Sequence, residues 1–144
     1  MRRYAVDTNI FLYARGSGHP YREPCRQLID AARRTVVTLE ASVELAQEFG
    51  HVLLRRGLPR EDAMDEVDDV RTLCRLHPFD REVLSRAVTL LRSSASLGTR
   101  DAVHAATAIQ AGLSHIVSAD RALDDVPGLT RLDPIHDSRD LLGE

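Results

Sequence analysis

Tyr4-Ala5-Val6-Asp7-Thr8-Asn9 decides the fold. Three apolar residues run into an acid and an amide, too short a run for a helix. The pattern of a buried strand that empties at its carboxyl end into polar groups fits it. The same figure returns late in the chain as His115-Ile116-Val117-Ser118-Ala119-Asp120. Two further apolar runs, Val36-Val37-Thr38-Leu39 and Thr130-Arg131-Leu132, read as strands, and Leu76-His77-Pro78 as a minimal one.

Between these strands the apolar residues recur at helical spacing. Ile10 to Ala14 reads as a short helix broken by Gly16-Ser17-Gly18, and a second helix follows from Pro20 with Cys25, Leu28, Ile29 and Ala32 on one face. A helix from Ser42 to Arg56 is closed by Gly57, with Leu45, Phe49, Val52 and Leu53 inward. Pro59 suits the first turn of the next, which runs to Leu73 with Ala63, Val67 and Val70 inward. Asp80 caps a helix expected to bury Val83, Leu84, Ala87, Val88 and Leu91. The last long helix starts near Thr99 and is rich in alanine, which implies close approach to a neighbour; Gly112 follows it. Asp120 to Val126 reads as a turn or short helix. Short strands alternating with amphipathic helices predict an α/β layered domain with a mainly parallel sheet. Ligands of such sheets bind beyond the carboxyl ends of the strands, where Asp7 and Asp120 fall.

Composition narrows the chemistry. A chain of 144 residues is the size of one domain, taken here as residues 1–144. With 4% aromatic residues, its packing rests on Leu, Val and Ala. Cys25 and Cys74 are far apart, fit no zinc pattern, and are expected as buried reduced thiols. All 19 basic residues are arginine. Lysine-dependent mechanisms are therefore excluded, among them the P-loop clamp and Schiff-base chemistry. A net charge of -3 argues against strong non-specific nucleic-acid binding by the whole surface. Met1-Arg2-Arg3 leads into an apolar run that Asp7 interrupts, so neither a signal peptide nor a membrane span is expected, and the protein is expected in the cytoplasm.

The candidate functional groups are acids. Asp7 serves equally well as a helix cap or as a catalytic group. Glu44 and Glu48 stand one turn apart on the polar side of their helix, a mild like-charge conflict that a nearby cation would remove. Asp101, in the first turn of the alanine-rich helix, suits the helix dipole whatever else it does. Asp120 also has a capping alternative, and His104, three residues after Asp101, could sit near the site, although packing within its helix is the preferred reading. The run Asp62, Asp65, Glu66, Asp68, Asp69 reads as a solvated face. Should the separated acids converge, their crowding would require raised pKa values or a cation. An all-oxygen donor set favours a hard cation such as Mg2+ or Mn2+, which suits phosphodiester hydrolysis.

Four segments in order resemble the successive motifs of PIN domains: Asp7-Thr8-Asn9-Ile10-Phe11-Leu12, Gln47-Glu48-Phe49, Asp101-Ala102-Val103-His104-Ala105-Ala106-Thr107-Ala108, and Ser118-Ala119-Asp120-Arg121-Ala122-Leu123. Together they cover nearly the whole chain, and they are most similar to VapC-type toxins of type II toxin–antitoxin pairs. The resemblance implies a three-layer α/β/α sandwich around a mainly parallel sheet. It also implies Mg2+- or Mn2+-dependent endoribonuclease activity, a homodimer, and a cognate antitoxin that lays a segment across the active site. Asp7 and Asp101 match the core metal ligands, Glu48 the acid of the second motif and Asp120 the fourth acid. Asn9 and Ser118 match the polar residues that support the first and last acids. Glu44 stays an alternative to Glu48.

Arg15, Arg22, Arg100 and Arg121 lie near these acids in sequence and could grip phosphates. The competing readings are a PIN-like module that binds RNA or a partner without cutting, and a DNA-directed nuclease. A dehalogenase-type phosphatase would need a second Asp at Asn9 and a lysine; a receiver domain fails for want of the lysine.

Overall fold

The computed structural model describes residues 2–143, so Met1 and Glu144, the expected domain bounds, lie outside it. Strands β1 (Arg2–Val6), β2 (Val37–Ser42), β3 (Arg75–His77), β4 (His115–Val117) and β5 (Thr130–Leu132) form one sheet in the order β3-β2-β1-β4-β5. Every pairing is parallel, with Tyr4 opposite Leu39, Val6 opposite Val117, and Ile116 opposite Arg131.

Side-chain alternation on the strands divides the core into two layers. Tyr4 and Val6 of β1 and Leu39 and Ala41 of β2 join the cluster under α1 (Thr8–Arg15), α2 (Arg22–Arg33), α3 (Val43–Arg55) and α4 (Arg60–Leu73). Ala5 and Ile116 face the other way, onto α5 (Arg81–Ser93) and α6 (Thr99–Gln110). The result is the three-layer arrangement that the motif resemblance implies. The alanines of α6 are fully buried, Ala102, Ala105 and Ala106 each at 0% exposure, which lets this helix lie close against the sheet. Among the described residues no helix is long and apolar enough to cross a membrane.

Several local expectations need correction. The face of α5 is narrower than its apolar stripe: Val83, Ala87 and Leu90 are buried, whereas Leu84 and Val88 are 51% and 40% exposed. This outer helix packs mainly on α6, so only one edge of the stripe is covered. Strand β2 begins at Val37 and runs on to Ser42, carrying Glu40 into the core at 0% exposure. Burial alone would raise its carboxyl; hydrogen bonds from Arg3 (2.6 and 3.0 Å) and His77 (2.7 Å) instead hold it below the usual carboxylate range. A short helix, α7 (Ser138–Leu142), lies beyond the last expected element and buries Leu141. Cys25 and Cys74 are buried free thiols, and burial pushes both up to about 12.

Candidate active site

The strand order reverses between β1 and β4: the chain proceeds outward from β1 to β2 and β3, then returns to β1's other side. A sheet of this kind opens a crevice at that switch point, beyond the carboxyl ends of the two strands. Asp7 follows β1 and Ser118 follows β4. The Asp7 amide donates to the Val117 carbonyl at 3.1 Å, which locks the two strand ends side by side.

Asp7 is 6% exposed and does two jobs. As the N-cap of α1, its Oδ1 accepts from the Thr8 amide at 2.7 Å. Its Oδ2 accepts from Ser118 Oγ at 2.7 Å and from Asn9 Nδ2 at 3.4 Å. Ser118 Oγ in turn accepts the Asp120 amide at 3.0 Å, and the Asp120 carboxylate caps the 3-10 turn Arg121–Asp125 through the Ala122 amide at 2.9 Å. Ser118 therefore ties the first acid to the segment that carries the fourth.

Glu48 reaches the same crevice from α3. Its Oε2 accepts from Thr8 Oγ1 at 2.9 Å and lies 3.2 Å from His104 Nε2, while Arg100 stands 3.5 Å from Oε1. Its pKa is lowered first by the His104 hydrogen bond, then by Thr8, against the opposing effect of burial. Glu44 instead lies beside the α3 N-cap, its amide bonded to Ser42 Oγ at 3.0 Å.

Asp101, in the first turn of α6, is pushed up to about 7, by burial first, then by the charge of Asp7 and by a hydrogen bond and charge repulsion with Asp120. Asp7 is raised as well, mainly by burial, with His104, Ser118 and Thr8 opposing. The four acids named from the sequence thus share one neighbourhood, with Asn9 and Ser118 between the first and last of them.

His104 was expected to pack within its helix; it belongs to this site. The ring is 3% exposed, and its Nε2 lies 3.2 Å from Glu48, 3.3 Å from Thr8 Oγ1 and 4.0 Å from Asp7 Oδ1. Burial would lower its pKa, but the Glu48 hydrogen bond and the charges of Asp7, Glu48 and Asp101 raise it. Of the arginines near the acids in sequence, Arg100 approaches the site, whereas Arg15 pairs with Glu66 at 3.2 Å. A separate cleft of about 520 Å³, floored by Phe11, Ile29, Phe49 and Val70, holds none of the four acids.

The donor chemistry fits a hard divalent cation. All four acids offer oxygen, and the proton that Asp101 retains to about 7 marks a place where positive charge is lacking. The buried Oδ1 of Asn9 also has no hydrogen-bond partner. Among the described residues no group of three or more His, Cys, Asp or Glu side chains is arranged so as to hold a metal ion by itself.

Comparison with known proteins shows the family and the fold. The PIN domain family profile matches residues 4–129. Ribonuclease VapC7 of Mycobacterium tuberculosis is 35% identical over 131 residues, covering 90% of each chain. Among solved structures, VapBC2 from Rickettsia felis bound to a promoter DNA fragment superposes with a TM-score of 0.67 at 17% identity, covering 91% of this chain and 98% of that one. A toxin–antitoxin complex from Klebsiella pneumoniae gives a TM-score of 0.62 at 18% identity over 91% and 97%. With the motif order, the sheet order and a relative of this similarity in agreement, the chain belongs to the PIN-domain family and, within it, to the VapC ribonucleases.

Proposed function

We propose that this chain is the toxin of a type II toxin–antitoxin pair, an endoribonuclease that uses Mg2+ or Mn2+ held by Asp7 and Asp101, with Glu48 acting through water and Asp120 nearby. The observation that carries this reading is the gathering of Asp7, Glu48, Asp101 and Asp120 at the sheet's switch point, with Asp7 tied to Ser118 and Glu48 to Thr8 and His104. A divalent cation at such a site supplies a lowered water pKa and stabilises charge on the phosphate in flight.

The chain's own side chains set the geometry for that chemistry. Ser118 Oγ and the Thr8 amide fix the two oxygens of Asp7 in opposite directions. His104 Nε2 and Thr8 Oγ1 both engage Oε2 of Glu48, leaving Oε1 to face Arg100 and solvent. The carboxylate held in this way accepts the proton of an attacking water. Water adds across the P–O3′ bond, so the products carry 5′-phosphate and 3′-hydroxyl ends. RNA as the substrate and an antitoxin as the partner rest on the chain's similarity to VapC7, named a ribonuclease, and to chains solved in toxin–antitoxin complexes. The resemblance to PIN domains also implies that the protein acts as a homodimer.

Asp7→Asn tests the scheme. Asparagine keeps the α1 cap, so the variant should fold as the parent does yet lose Mn2+-dependent cleavage of structured RNA. An Asp7→Asn protein that cuts at the parental rate refutes it.

A further inference from the structure

The chain has only three tyrosines and no tryptophan. Two of the tyrosines, Tyr13 and Tyr21, are gathered with His19 in one cluster, although sequence-wise they sit on different elements. Tyr13 lies 4.4 Å from His19 and 5.2 Å from Tyr21 between ring centroids, and His19 lies 5.6 Å from Tyr21, with all three interplanar angles at 22–23°. The centroids make a triangle, so the rings overlap face on face as one offset, near-parallel stack whose outer face is left to solvent at His19. His19 is exposed and both tyrosines are partly so.

This cluster is tied into the turn between α1 and α2 and is linked by bonds to the segment that holds Asp7. Tyr13 stands on α1 four residues after Asn9, hence on the same helix face and about 6 Å further along the axis. That is roughly two stacked nucleotides at about 3.4 Å each. The turn between α1 and α2 is pinned by the Tyr21 amide on His19 Nδ1 at 3.1 Å and the Arg22 amide on the His19 carbonyl at 3.0 Å. A relay of bonds links Tyr21 to the catalytic pocket. Its hydroxyl donates to Asp133 Oδ2 at 2.7 Å, Arg131 bridges Asp133 (3.3 Å) and the Ser118 carbonyl (2.9 Å), and Ser118 Oγ holds Asp7. Beside Tyr21, the Nε of Arg22 is buried with no hydrogen-bond partner.

We infer that Tyr13, His19 and Tyr21 form a stacking platform for an unpaired nucleobase of the RNA strand, close to the phosphate that the four acids address. Aromatic faces stack on single-stranded bases and tolerate different sequences, and a fixed platform beside a phosphate site selects strand that is locally unpaired. The platform rests on the nuclease reading above, because it places a base next to a cleavable bond.

The test measures binding of a fluorescein-labelled single-stranded 12-nucleotide RNA to the Asp7→Asn protein by anisotropy, alone and combined with His19→Ala, Tyr13→Leu or Tyr13→Phe. Each loss of a ring should weaken binding roughly 5- to 150-fold, the range of one base–aromatic stack, while Tyr13→Phe stays within about twofold. The same ring losses in the otherwise wild-type protein should raise KM for Mn2+-dependent cleavage and leave kcat within about threefold. His19 is exposed, so His19→Ala carries the test even if Tyr13→Leu fails to fold. Parental binding and KM in folded His19→Ala overturn the platform while leaving the nuclease intact, provided the wild type cleaves. A wild type that cleaves no RNA with Mn2+ removes the nuclease reading, and the platform with it.

Discussion

Replacing Asp101 with asparagine should make the metal-free protein more stable while ending its activity. The carboxyl of Asp101 moves from 3.8 to about 7 on folding, because burial, Asp7 and Asp120 all oppose its charge. Three pK units correspond to about 4 kcal/mol. Asp101 is only half-buried, and solvent screening reduces this to about 2 kcal/mol.

The sign follows from proton binding. The folded chain holds this proton more tightly than the unfolded chain, so stability falls as pH rises from about 4 to 7, and the full cost is present above 7. In EDTA at pH 8, Asp101→Asn should therefore exceed the wild type by about 2 kcal/mol in urea unfolding, or roughly 5 °C in Tm. At pH 5 most of the wild-type side chain keeps its proton when folded, and the gap should shrink below about 1 kcal/mol. Cleavage with Mn2+ should be lost at both pH values. A variant less stable than the wild type at pH 8 in chelator, or a gap independent of pH, refutes the electrostatic account of the site.

Glu48→Gln should abolish Mn2+-dependent cleavage, whereas Glu44→Gln should keep it within a few-fold; the reverse ranking in the same RNA assay would transfer the role to Glu44. Ser118→Ala removes the 2.7 Å bond to Asp7 and the acceptor for the Asp120 amide. Calorimetric Mn2+ affinity should drop about 10- to 100-fold, as for other residues that orient metal ligands, and an unchanged affinity would show that Asp7 needs no such support. Glu40→Gln weakens the Arg3–Glu40–His77 group inside the sheet. Because Arg3 is partly exposed, the expected loss is about 2 kcal/mol, below the range for fully buried pairs. Urea unfolding measures it, and no change would mean that the ion pair only balances its own desolvation.

What could be read from the sequence was what depends on near neighbours. Asp7 and Asp120 announce themselves because the first directly follows a short apolar strand and the second lies just past another, and the sheet then fixes where strand ends meet. Glu48 could not be told from Glu44 by periodicity, since both lie on the polar side of α3. The contacts that distinguish Glu48 come from Thr8 and His104, 40 and 56 residues away. His104 was hidden for the same reason: in a run of alanines it reads as packing, and only the approach of α1 and α3 supplies its acidic partners. Glu40 is flanked by Arg3 and His77, each 37 residues distant, on neighbouring strands. Leu84 and Val88 follow helical spacing correctly, yet spacing alone does not say how wide a face the rest of the molecule covers.

Asp7 joins architecture and chemistry in one side chain, and this shapes how the protein can fail. A carboxylate-to-amide change there preserves the first turn of α1 and its fit to the Val117 strand end. Screens that score expression, solubility or heat resistance would pass such a molecule as sound. Disarmed copies of this chain could therefore accumulate unnoticed by any measurement other than RNA breakage itself.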